Sequence, residues 1–247
     1  MSHRFVAGFS VPFAVVQWYF AVLGVAGAVG RHAGGPLLLY ASLLLMLAAV
    51  TVVGVVQAFR GRTSVLAFSA AATAVVWATV AVWAVSQDER AWLLLVLPVA
   101  VPVLVGLGAV FARVGGRARD VGAGMAVGIG VTTYVQPAVF GVAAASGCRG
   151  CAFGGSTAAW VAQATAYGAT AVLLVVGGVL LLRARPAGGA LVVVGCALTV
   201  VIPLASLFFV LAIPLEPLIF YTLFAVPFLG VATAVAAVRR PVVAQPA

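Results

Sequence analysis

Long apolar runs separated by short polar breaks dominate this chain. A membrane-spanning helix needs about 20 apolar residues at a rise of about 1.5 Å each. Runs of that length cover residues 5–29, 36–59, 64–86, 91–112, 121–145, 157–182, 189–212 and 218–238. None of the eight contains a charged residue; every Arg, Asp and Glu falls in the breaks. A charge at the bilayer centre costs about 2.5–3.5 kcal/mol on the insertion scale, so this partition marks the span ends. Residues 189–238 are too many for one span, and Pro214-Leu215-Glu216-Pro217 reads as the turn between two. Ala26-Gly27-Ala28 fits a signal-cleavage site, but the first run exceeds a signal core of about 7–15 residues, so it is expected to stay as a span. The pattern predicts an all-α, polytopic integral membrane protein of eight transmembrane helices in one domain, residues 1–247.

Charge sets the orientation. With the N-terminus inside, the inner breaks hold Arg4, Arg60, Arg62, Arg113, Arg117, Arg119, Arg183, Arg185, Arg239 and Arg240. The outer breaks hold only Arg31, Arg90 and Arg149. This asymmetry predicts a multi-pass protein of the cytoplasmic membrane with both termini cytoplasmic. Trp83, Trp92, Trp160 and Tyr40 fall near the outer boundary, where amphipathic rings anchor.

The two halves echo one another. Gln17 matches Gln136, each after a Val; Gly34-Gly35 matches Gly154-Gly155; Arg60-Gly61-Arg62 matches Arg183-Ala184-Arg185. Glu89 and Glu216 each precede a span, and Val101-Pro102-Val103-Leu104 resembles Val226-Pro227-Phe228-Leu229. The matches keep their order at nearly constant spacing. They predict repeats 1–119 and 120–247, and four spans per half makes the repeats parallel about an axis along the membrane normal.

Composition narrows the chemistry. Of the 247 residues 65% are hydrophobic and 7% charged, against about 25% charged in soluble domains. The net charge of +9 is scattered in ones to threes, so no patch for nucleic acid forms. All basic residues are Arg, which excludes a Lys Schiff base and a phosphate-loop Lys. The abundance of Ala, Val, Gly and Arg suggests a GC-rich bacterial source. His3 and His32 lie outside the spans, and the acids Asp88, Glu89, Asp120 and Glu216 all lie at span ends. Paired carboxylates, a His-rich metal site, a His-held haem and an intramembrane proton relay are therefore not expected. No cofactor and no metal is implied.

Three features remain. Cys148 and Cys151 form Cys-x-x-Cys around Arg149 in the loop after span five. Outside the membrane such a pair suits a structural disulfide, thiol–disulfide exchange or a thiophilic metal, and Cys196 in span seven cannot reach it. Gln17, Tyr134, Gln136, Gln163 and Tyr167 are polar residues at membrane depth and form candidates for a solute pocket. Pro137 would release the carbonyl of Thr133 from its helical bond, and broken helices are one way transporters build midplane sites; interhelical packing is the competing role. Gly124 and Gly128 form G-x-x-x-G, with Ala158, Ala162 and Ala166 as a matching small stripe, a surface for internal packing or for a dimer.

These features predict a non-enzymatic, carrier- or permease-like protein, or the membrane subunit of a larger complex, handling a small neutral or apolar solute. Its partners would be the bilayer and either a complex partner or a second copy. One alternative is an extracytoplasmic thiol protein acting through Cys148 and Cys151; another is a structural or assembly factor with no site.

Overall fold

The computed structural model describes residues 1–30, 35–87, 92–135, 138, 157–209, 230 and 232–233. The described elements are helical: α1 (His3–Gly30), α2 (Gly35–Phe59), α3 (Ser64–Gln87), α4 (Trp92–Val110), α5 (Ala118–Ile129), α6 (Thr157–Leu182) and α7 (Pro186–Phe209). A π-helical turn, Gly130–Tyr134, continues α5. Gly230, Ala232 and Thr233 are also helical; the rest of span eight lies outside the described residues. Four of these helices contain stretches long and apolar enough to cross a membrane: His3–Val22, Ser42–Phe59, Ser64–Val82 and Ala164–Leu182. Their outward faces are apolar too, with Leu39, Met46, Phe68, Val75 and Val82 exposed on α2 and α3. In water such faces would form a large unprotected patch; hydrocarbon solvates them.

α1 and α5 lie side by side at the centre and run in the same direction. Gly124 sits directly on the Phe5 carbonyl, and a Cβ added at Gly128 would stand 2.7 Å from the Phe9 carbonyl. Gly8 of α1 closes on Val121 in return. The G-x-x-x-G face therefore packs on α1, as small residues allow by letting backbones approach. The Ala158–Ala162 stripe does not meet it: both residues are exposed, and α6 reaches α5 through Gly178, whose Cβ would stand 2.9 Å from the Ala123 carbonyl.

The Arg-bearing ends gather around one apolar cluster that contains Phe5, Ala58, Leu66, Ala109, Ala123 and Leu181. Here the N-terminus is clasped to the segment before α5. Ser2 forms a parallel bridge with Arg113: the His3 N–H donates to the Arg113 carbonyl and the Arg113 N–H to the Met1 carbonyl, both at 2.9 Å. The Ser2 hydroxyl donates to Asp120 Oδ2 at 2.9 Å, and the Gly115 N–H donates to His3 Nδ1 at 2.9 Å. Asp120 also accepts the Arg117 N–H at 3.1 Å, which caps α5 and places a carboxylate in its first turn.

The turn from α2 to α3 and the turn from α6 to α7 are hydrogen-bonded alike. Gly61 N–H donates to the Ala58 carbonyl and Arg62 N–H to that of Gln57; Ala184 N–H donates to the Leu181 carbonyl and Arg185 N–H to that of Leu180, all at 3.0 Å. Both are Schellman closures around a left-handed residue, Gly61 at φ 83° and Ala184 at φ 58°. The buried faces correspond as well. Leu44, Leu47, Ala48, Thr51, Gly54, Val55 and Ala58 of α2 are buried. Tyr167, Thr170, Ala171, Leu174, Gly177, Gly178 and Leu181 of α6 are buried at the same shift that carries position 61 to 184.

Candidate functional site

Gln17 is the fifteenth residue of α1, so it stands about 21 Å along a helix of about 42 Å. Its side chain is 5% exposed. Its amide nitrogen Nε2 donates to Thr73 Oγ1 of α3 at 2.8 Å. Thr73 Oγ1 in turn donates to the Ser69 carbonyl one turn earlier, at 2.8 Å. A hydroxyl has one proton. With that proton committed to Ser69, Thr73 can only accept from Gln17, and this fixes which end of the carboxamide faces it. The carboxamide oxygen Oε1 then points away, buried and without a hydrogen-bond partner among the described residues. Such an atom costs about 1–3 kcal/mol relative to a satisfied one.

The Gln17 side chain borders a cavity of about 40 Å³ between α1, α3, α4 and the π-turn. Phe13, Phe20 and Trp77 supply aromatic walls, and Phe20 meets Trp77 edge to face at 5.9 Å and 77°. From α4 come Pro98, Val101 and Pro102. Pro102 has no N–H for the carbonyl of Pro98, which a regular helix would have bonded at that spacing. Thr132 enters from the π-turn, with its hydroxyl donating to the Gly128 carbonyl at 2.7 Å. In that turn the Val135 N–H bonds to the Gly130 carbonyl, five residues back. Such single-turn widenings of a helix recur at functional sites. Among the described residues, none that lines the cavity is charged.

The residues singled out in the sequence part company here. Gln17 borders the cavity, and Tyr134 closes the π-turn. Tyr167 is buried in a separate cluster with Ile129, Leu174 and Val192. Gln163 lies on α6, its side chain outside the described positions; Gln136, Cys148 and Cys151 lie outside the described residues. Cys196 is buried and in thiol form. Pro137, expected to release the Thr133 carbonyl, lies outside the described residues; Thr133 itself falls within the π-turn. Sequence reading missed Ser69, Thr73, Trp77 and Thr132. The first three are spaced four apart on span three and so share one face, a signal that Ser and Thr hide because they so often bond their own helix.

The described helices define an all-helical protein with apolar helices suited to a membrane. Compared with protein-family models, curated proteins and solved structures, the chain finds no match.

Proposed function

We propose that the chain is a non-enzymatic, multi-pass protein of the cytoplasmic membrane, of carrier or permease type, that handles a small neutral or apolar solute. The observation that carries this reading is the mid-helix cavity bordered by Gln17, a buried amide at membrane depth. Ligand sites of membrane carriers lie near the midplane, beside interrupted helices, and here a π-turn and two helical prolines border the space. A lining without charge suits a solute without charge.

The same reading takes the chain as eight spans in two parallel four-helix halves, with both termini cytoplasmic. Its support is the recurrence of buried positions between α2 and α6, the matched Schellman turns, and the parallel pairing of α1 with α5. The Arg excess at one end of the bundle supports the orientation.

Purification in mild detergent followed by native mass spectrometry, with flux of urea and glycerol into proteoliposomes, tests the reading. A monomer or dimer that speeds entry of a neutral solute, and loses this in Gln17→Leu, is the expected result. A stoichiometric ATPase or oxidase partner would recast the chain as a membrane subunit. No solute, no flux and no effect of Gln17→Leu would leave a structural protein.

A further inference from the structure

The end of the bundle that carries the Arg residues has little acid to balance them. Among the described residues, eight Arg gather there against one carboxylate, Asp120. That carboxylate is already engaged. Its Oδ2 accepts from the Ser2 hydroxyl and the Arg117 amide, and its Oδ1 stands 3.9 Å from Arg119 Nε. The Ser2 hydroxyl also accepts the Phe5 N–H at 3.3 Å, so one side chain ties the start of α1 to the start of α5. This clasp brings the backbones of three further Arg together. Arg113 is bonded through its own backbone to Met1 and His3, Arg117 through its amide to Asp120, and Arg4 follows the clasped Ser2 and His3. All three are exposed, and among the described residues no ion pair holds any of them. The same short segment, residues 111–117, exposes Phe111 at 71% and Val114 at 85%.

We propose that the clasp binds the headgroup of an anionic phospholipid, with the phosphate on Arg113, Arg117 and Arg4 and with Phe111 and Val114 in the hydrocarbon beside it. A guanidinium fork pairs two phosphate oxygens at once. A zwitterionic headgroup would bring its own cation against three others. A bilayer boundary offers phosphate at one depth and hydrocarbon just below it, which suits Arg interleaved with exposed apolar side chains; a soluble acidic partner satisfies only the Arg. The segment is also held in shape before a lipid arrives. Gly115 at φ 129° and Gly116 at φ 115° turn it, and a Cβ at Gly116 would stand 2.8 Å from the Ser2 hydroxyl. Anchors fixed in advance lose less freedom on binding. The inference goes beyond solute carriage: it needs the helices to stand in a bilayer and makes no use of the cavity beside Gln17.

We would mix the protein in mild detergent with equal amounts of phosphatidylglycerol and phosphatidylcholine of the same acyl chains and count bound lipids by native mass spectrometry. Phosphatidylglycerol should be retained about tenfold over phosphatidylcholine. Arg113→Gln with Arg117→Gln should bring that preference to within about twofold. Arg60→Gln with Arg62→Gln removes the same charge from another exposed turn at the same end and should keep most of it. All of these positions are exposed, so both variants should fold as the parent does. A preference absent from the parent would overturn the proposal. So would equal loss in both variants, which would make the surface a diffuse field of charge. Displacement of the lipid by an equal concentration of glycerol 3-phosphate would overturn it in favour of a soluble phosphate ester. Retention of poly-glutamate in place of phosphatidylglycerol would overturn it in favour of an acidic protein segment. The lipid count needs no solute, so a failed flux assay and a failed lipid assay are told apart.

Discussion

Gly61 and Ala184 occupy the same left-handed position in two turns closed by the same pair of hydrogen bonds, yet only one of them is glycine. A side chain with a Cβ held at positive φ loses about 1–2 kcal/mol to contact with the neighbouring carbonyl. Ala184 is exposed, so nothing in the core depends on its methyl group. Ala184→Gly should therefore stabilise the protein by about 1 kcal/mol, and Gly61→Ala should destabilise it by a similar amount. Unfolding of each variant in mixed micelles with increasing SDS measures both. A loss of stability in Ala184→Gly would contradict the shared geometry.

The contact between α1 and α5 tolerates no side chain at its centre. At Gly124 a Cβ would collide with the Phe5 carbonyl, which is backbone and cannot rotate away. Gly124→Ala should cost about 1–3 kcal/mol, as overpacking does, and Gly124→Leu should prevent assembly. Ala162→Leu, on an exposed position of α6, should be near neutral. The same SDS titration, read against yield of monodisperse protein, separates the two. A dimer lost from Ala162→Leu but not from Gly124→Ala would place the small-residue interface between copies.

Asp120 joins two segments, accepting from Ser2 of the N-terminus and from the Arg117 amide before α5. Removing its charge in Asp120→Asn weakens both bonds and the favourable charge at the helix start, together about 1–2 kcal/mol. Hydrogen exchange of the Arg113 and Gly115 amides, bonded to Met1 and His3, should speed up about tenfold or more. Unchanged exchange there would mean that the clasp is held by its backbone bonds alone.

Cysteine labelling reads the proposed orientation. After mild reduction, an impermeant maleimide added to intact cells should modify Cys148 and Cys151. Cys196, 4% exposed within the bundle, should react only after denaturation. Labelling of Cys148 and Cys151 only in inside-out vesicles would invert the topology.

Much of this architecture is written in one dimension. A spanning helix is a length of uncharged, apolar chain, and that property needs no knowledge of neighbours. The sequence-read spans 36–59, 64–86 and 157–182 therefore lie within a residue of α2, α3 and α6. The likeness of the two Arg-bearing turns was legible for the same reason, since similar local motifs take similar local folds. Gln17 could be picked out because an amide at membrane depth is rare, but its partner could not. That choice depends on which face of α1 meets α3, and helices apolar on every side carry little periodic signal to say so. Tertiary structure alone decided that Gly124 and Gly128 press against α1 rather than an alanine stripe, that Tyr167 is buried apart from Gln17, and that the proton of Thr73 is spent on Ser69. The physical reason is common to all three. Hydrophobicity selects the segments, while close packing and the direction of each hydrogen bond select their faces, and those exist only once the helices have met.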